Sequence, residues 1–169
     1  MSRLYRASLS LFERVCFLRW RIRYALYRRI YAIDPAFRFN GPGVQLYGEG
    51  AIVLGADSYV GEMSTLQAVT GHKVEIGRGC MISHNVRIYT QSAVADADFS
   101  RRPVPDKTGD VSIGDHCWIG ANVFIGPGVT IGANAVVGAN SVVTRAVGAG
   151  EIWGGVPAVF IRVKKASAP

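Results

Sequence analysis

Two residues of this chain have the types and the spacing to move a proton. His84 is the third residue of Ile82-Ser-His-Asn-Val86, and Glu62 is the third residue of Val60-Gly-Glu-Met-Ser64. Imidazole titrates nearest to neutral pH, and a carboxylate beside it orients the ring and raises its basicity. Held together, the pair is a general base for a hydroxyl or an amine. The other two histidines read differently. His116 is the fourth residue of Ile113-Gly-Asp-His-Cys-Trp118, a turn position, and His72 falls in a short insertion from Gly71 to Glu75, where a solvated ring is expected. Cys16, Cys80 and Cys117 have neither disulfide nor zinc-site spacing, so no metal site and no oxidising compartment is called for.

Glu62 and His84 are 22 residues apart, so the fold must return the chain to the same place. The stretch from Ile113 to Gly148 shows how. It divides into six consecutive hexads that begin with Ile or Val, five of them with Gly second. The fifth position is small or β-branched: Cys117, Val123, Val129, Ala135, Ser141 and Val147. The fourth favours residues that tolerate positive φ: Asn122, Gly128, Asn134 and Asn140, with His116 a rarer member. A period of six fits neither a helix nor an alternating strand. It fits a short strand and a turn, with three such units closing a triangular coil and coils stacking in parallel. The same register runs through Leu54–Ser58, Val60–Ser64, Leu66–Thr70, Ile76–Cys80, Ile82–Val86 and Ile88–Ser92. Equal positions on successive coils lie ~4.8 Å apart. Glu62 is therefore expected beside His84, both facing outward near a corner, and Cys80 and Cys117 are expected inside as small filler.

The charge is uneven. Residues 1–31 hold eight Arg and one acid, Glu13, which accounts for the whole net charge of +7; the remainder balances 11 basic against 11 acidic residues. Residues 3–31 lack Gly and Pro and read as an amphipathic helix stopped by Asp34-Pro35. Leu11, Val15, Leu18, Ile22 and Ala25 form its apolar seam, widened by Phe12, Phe17, Trp20, Tyr24, Tyr27 and Tyr31. Two roles stand side by side: packing on the solenoid or on another subunit, or lying at an anionic membrane surface. The large apolar residues speak against nucleic acid as the partner. The division is an arm at 1–34, a solenoid at 35–165 and a tail at 166–169. Residues 94–112 carry charges and prolines but no hexad and read as a loop excursion from a corner, a common place for function. There is no signal peptide and no uncharged run able to span a bilayer.

The hexads, the excursion, Ile113-Gly-Asp-His-Cys-Trp-Ile-Gly120 and Gly154-Gly-Val-Pro-Ala158 resemble the hexapeptide-repeat acyltransferases, in particular the sugar O-acetyltransferase branch, over roughly residues 50–165. The resemblance implies a left-handed parallel β-helix, a homotrimer and acetyl-CoA as cosubstrate in a groove between two subunits. It implies cofactor contacts at Ala121, Ala139, Thr144, Arg145 and Arg162, Arg145 standing where the family usually has Lys. Trp118, at the outward sixth hexad position, joins them as a residue bordering the cleft. The substrate side is expected at Met63, Asn85 and Tyr89. The sequence departs from the family at two places. The family's catalytic His follows a Thr-x-Ser/Thr stretch, which here is Tyr89-Thr-Gln-Ser-Ala93, so Ala93 occupies the His position. Met63 occupies the place of an acceptor-binding Asn. His84 then becomes the candidate base and Glu62 its partner, in a motif similar to that of hexapeptide N-acetyltransferases acting on nucleotide-linked amino sugars.

The expected function is therefore acetyl-CoA-dependent O-acetylation of a sugar in a bacterial surface polysaccharide or lipopolysaccharide precursor. The sugar or glycolipid acceptor would be met in the cytoplasm, with peripheral contact at the cytoplasmic face of the inner membrane through residues 1–31. N-acetylation of a nucleotide-linked amino sugar is the alternative. A zinc hydratase of the carbonic anhydrase branch lacks that branch's close His pair, and the Ala93 departure leaves a non-catalytic scaffold as a further reading.

Overall fold

The computed structural model of the chain describes residues 3–165. Among them, one 28-residue helix, Arg3–Ile30, precedes a parallel solenoid of about five turns, a left-handed β-helix. The prism has three faces. The first stacks Ala32–Ile33, Ala51–Leu54, Lys73–Ile76, Val111–Ile113 and Thr130–Ile131. The second stacks Arg38–Asn40, Tyr59–Gly61, Met81–Ile82, Trp118–Ile119, Val136–Val137 and Glu151–Gly154, and is closed by Val159–Val163 folding back antiparallel. The third stacks Gln45–Tyr47, Thr65–Gln67, Arg87–Tyr89, Phe124–Ile125 and Val142–Val143.

Each hexad position does what its residue types dictate. First-position aliphatics form columns inside the prism: Ile76, Ile113 and Ile131 on one face, Ile82, Ile119 and Val137 on the next, Ile88, Ile125 and Val143 on the third, all at most 1% exposed. Each fully buried side chain of this size contributes about 1.5–3 kcal/mol of transfer free energy. Fifth-position residues are small because the chain turns inward over them. Several also bond the next coil: Ser58 Oγ donates to the Gly77 carbonyl (2.6 Å) and accepts the Cys80 N–H (2.8 Å). Cys80 and Cys117 are fully buried, as the filler reading requires, and their thiols donate to the carbonyls of Gly114 and Gly132. The corners take positive φ at Asp57, Met63, Asn85, His116, Asn122, Asn134 and Asn140.

The open first coil is covered by the last turns of the helix. Backbone groups at a solenoid end have no next rung and need other partners. The Tyr24 hydroxyl donates to the Gly41 carbonyl and accepts the Val44 N–H; the Tyr27 hydroxyl accepts the Leu46 N–H; the Arg28 guanidinium donates to the carbonyls of Asp34 and Phe37. Tyr24 stacks on Phe39 with ring centroids 4.1 Å apart, and Tyr27 and Phe37 are buried in the core. The preceding turns project their apolar seam outward: Leu11, Val15, Leu18 and Ile22 are all more than half exposed. So one helix carries both a packed end and an unpacked one.

Three boundaries differ from those read in the sequence. The solenoid starts at Ala32, because Ala32–Ile33 pairs with Val53–Leu54, so Asp34 lies inside the first coil and not in the arm. The insertion at 71–75 is a corner turn only as far as His72; Lys73–Glu75 lengthen a strand that pairs on both sides. The excursion is an antiparallel ribbon, Gln91–Ala93 against Asp106–Thr108, and Val111 and Ser112, counted within it, belong to a solenoid strand. Strand pairing sets these limits, and it is not visible in hexad spacing. The 166–169 tail lies outside the described residues.

Candidate active site

The corner between the second and third faces carries the candidate chemistry. Pairing of Asn40 with Gly61, Val60 with Ile82, Ile82 with Ile119 and Ile119 with Val137 puts Gly41, Glu62, His84, Ala121 and Ala139 in one column. Backbone bonds from the Asn85 N–H to the Glu62 carbonyl (2.9 Å), from Asn122 to His84 (3.0 Å) and from Asn140 to Ala121 (2.8 Å) hold that register through the corner. Gly41 must lack a side chain: a Cβ there would lie 2.8 Å from the Glu62 Cβ. Glu62 is half-buried and His84 exposed. Their side chains are neighbours by register and share no hydrogen bond in this structure. Above His84 the side chains shrink to methyl groups at Ala121 and Ala139, which leaves a strip of open backbone leading up the corner from the imidazole.

The adjoining column holds Met63, Asn85, Asn122 and Asn140, all at positive φ. The asparagines form an amide ladder: Asn85 Nδ2 donates to Asn122 Oδ1 (2.9 Å) and Asn122 Nδ2 to Asn140 Oδ1 (3.0 Å). Asn85 Oδ1 also accepts from Arg87 (3.0 Å). The Asn85 amide is thus engaged in the corner, whereas Met63 is exposed beside Glu62. Tyr89 lies on the third face, half-buried, with its ring edge-on to Phe124 at 5.6 Å.

The cofactor candidates divide among three places. Ala121 and Ala139 are on the His84 corner. Thr144 and Arg145, both exposed, follow Val142–Val143 at the far edge of the third face. Trp118 and Arg162 line a hollow of about 710 Å³ on the second face with Met81, His116 and Lys164. The excursion leaves the corner between the third and first faces, opposite Trp118.

The sequence reading missed an arrangement at the foot of the excursion. His72 Nδ1 and Asp110 Oδ1 are 3.0 Å apart, and Asp110 also accepts the Lys73 N–H. The hydrogen bond with His72, then that from Lys73, holds the Asp110 carboxyl below its ordinary range. Counting back from the paired Ile76 and Ile113 sets Asp110 opposite Lys73, the residue after His72. The three histidines occupy three different corners, and among the described residues no three His, Cys, Asp or Glu side chains gather as a metal cluster would.

Residues 110–145 match the family profile of bacterial transferase hexapeptides (six repeats). A search of the curated proteins finds no match. Among solved structures, a hexapeptide-repeat acetyltransferase from Vibrio cholerae O1 biovar eltor, complexed with acetyl coenzyme A, is 32% identical, with a TM-score of 0.68 over 85% of this chain and 76% of that one. A maltose O-acetyltransferase from Clostridium difficile 630 is 28% identical, with a TM-score of 0.67 over 85% and 75%. A galactoside acetyltransferase in complex with coenzyme A is 30% identical, with a TM-score of 0.62 over 76% and 66%.

Proposed function

The chain belongs to the hexapeptide-repeat acetyltransferases, and from that premise we propose that it transfers the acetyl group of acetyl-CoA to a sugar hydroxyl, with His84 as the general base. The observation that carries this is the corner column. An exposed imidazole, with a carboxylate on the rung below, stands directly under the two alanines that the resemblance assigns to the cofactor. The imidazole takes the acceptor proton as the oxygen attacks the thioester carbonyl. The tetrahedral intermediate collapses, the C–S bond breaks, and the proton passes from the imidazolium to the departing thiolate. Glu62 stabilises that imidazolium across one rung.

The separation of Trp118 and Arg162 on the second face, Ala121 and Ala139 on the next corner, and Thr144 and Arg145 at the far edge of the third face supports a site completed by a neighbouring subunit, and hence a homotrimer, in which identical prisms repeat the same contact around one axis. The maltose and galactoside acetyltransferases among the structural neighbours support a sugar acceptor. The eight Arg and exposed apolar seam of the arm support work at an anionic membrane surface, where a polysaccharide or lipopolysaccharide precursor would be met on the cytoplasmic face. No helix among the described residues is long and apolar enough to cross a membrane. One motif favours a second reading: Ile82-Ser-His-Asn-Val86 is similar to that of N-acetyltransferases acting on nucleotide-linked amino sugars.

A screen of acetyl-CoA consumption against free sugars, nucleotide-linked amino sugars and lipid-linked saccharides tests both. The proposal expects an acetylated product that hydroxylamine cleaves, as it does an ester. A hydroxylamine-resistant product would move the assignment to N-acetylation. Neither consumption nor binding of acetyl-CoA would leave a scaffold.

A further inference from the structure

The helix has two unlike sides. Tyr24 and Tyr27 seat one side on the first coil. Leu11, Val15, Leu18, Ile22 and Leu26 run along the other, each more than half exposed. Arg14, Arg21 and Arg28 recur every seven residues and so form one line along the helix. Leu11, Leu18 and Ala25 of the apolar seam each stand three residues before one of them, and residues three apart are neighbours on a helix surface. The basic line therefore borders the seam.

Between that line and the first coil lies a hollow of about 650 Å³. Arg21, Ala25 and Arg28 line it from the helix, and Arg38, Phe39 and Tyr59 from the solenoid. No acidic residue lines it, and none of its three guanidinium groups forms an ion pair with an acid among the described residues. Arg28 is engaged with the carbonyls of Asp34 and Phe37, and the Arg38 guanidinium lies over the Tyr59 ring at 5.9 Å. Ala25 belongs both to the seam and to the wall of the hollow, so the basic hollow and the apolar seam are continuous.

Guanidinium groups without acids suit an anion whose oxygens accept several charge-assisted hydrogen bonds, a phosphate above all. The seam suits hydrocarbon. An anionic phospholipid carries both within one molecule. A second copy of the helix does not match: residues 1–31 hold eight Arg and one acid, so helix against helix would set Arg against Arg. We propose that the hollow binds the headgroup phosphate of an anionic membrane phospholipid, with Arg21 and Arg38 on the phosphate and the lipid chains along Leu18, Ile22 and Ala25. This rests on the membrane reading of the arm and deepens it. Arg38 belongs to the solenoid, so arm and solenoid build the site together. The bilayer then lies on the side of the helix away from the first coil, and the prism stands on it by that coil.

The test is co-sedimentation of the full-length protein with vesicles of phosphatidylcholine, alone or with phosphatidylglycerol. Combining Arg21→Gln with Arg38→Gln weakens partition to the anionic vesicles by at least about tenfold, and so does combining Leu18→Ser with Ile22→Ser. Combining Arg78→Gln with Lys107→Gln removes the same charge outside the hollow and stays within about twofold of the parent. Arg28 is left intact because it holds the cap carbonyls of Asp34 and Phe37. In calorimetry, monomeric dihexanoyl phosphatidylglycerol binds at least about tenfold more tightly than glycerol 3-phosphate, which lacks chains, or dihexanoyl phosphatidylcholine, whose cation an acid-free hollow repels. Equal binding by glycerol 3-phosphate would assign the hollow to a soluble phosphate. Parent-like sedimentation of the Arg21→Gln, Arg38→Gln double variant would overturn the site and leave the arm's membrane reading standing. A parent chain that ignores anionic vesicles would overturn both. A smaller light-scattering mass for the Leu18→Ser, Ile22→Ser double variant, beside unchanged sedimentation, would give the seam to a second copy of the chain.

Discussion

His84 stands one rung above Glu62 on the same corner of the prism, with the Asn85 N–H bonded to the Glu62 carbonyl at 2.9 Å. The backbone fixes this relationship, so substituting either side chain leaves the other in place. If Glu62 supports the imidazolium, Glu62→Gln keeps shape and removes charge. It should lower kcat by roughly tenfold, less than loss of the base itself, and leave the KM for acetyl-CoA unchanged. A Glu62→Gln enzyme with an unchanged kcat would show that the carboxylate is a bystander.

The excursion is a ribbon anchored on Gln91–Ala93 and Asp106–Thr108, with its tip at residues 94–105. Replacing residues 95–104 by an Asn-Gly turn keeps the anchor and the His72–Asp110 contact. If the tip borders the cleft of a neighbouring subunit, turnover should fall by more than about tenfold. Light-scattering mass and far-UV spectrum should stay as they were. Retained turnover would place the cleft elsewhere.

Burial raises the pKa of Tyr24, partly offset by the bond its hydroxyl accepts from Val44. A folded-state pKa above the unfolded value stabilises the fold below the unfolded pKa. That contribution is lost as pH rises through the folded pKa. The helical cap should therefore hold up to about pH 10, the ordinary tyrosine value, and loosen above it. Helix-specific hydrogen exchange checks this. In Tyr24→Phe the cap should be weaker at neutral pH and its alkaline loss smaller; an identical alkaline profile would clear Tyr24 of the effect.

Much of this fold was legible because the hexads are nearly complete. Ile at position one, a small residue at position five and Asn or Gly at position four each follow from a separate steric demand, and all agree on one register. That register was enough to stack Glu62 under His84 across 22 residues. The excursion limits, the Ala32–Ile33 strand and the Lys73–Glu75 extension were not legible, because strand pairing there does not depend on hexad residues. The His72–Asp110 contact was overlooked because both residues sit in segments read as loops. The seating of the helix on the first coil through Tyr24, Tyr27 and Arg28 was not legible either, because no periodicity records it.

The proposed acetyl transfer depends on His84. Steady-state acetyl transfer by the full chain and by His84→Ala, with the best acceptor from the screen, measures it. General base catalysis contributes roughly 10²–10⁴-fold, so kcat should fall by that factor while acetyl-CoA affinity and oligomeric mass stay unchanged. His72→Ala should remain within about threefold of the parent, since its ring lies on another corner, outside the residues assigned to the transfer. If His84→Ala turns over normally while His72→Ala does not, the base is the ring held by Asp110, and the corner column is not the catalytic site.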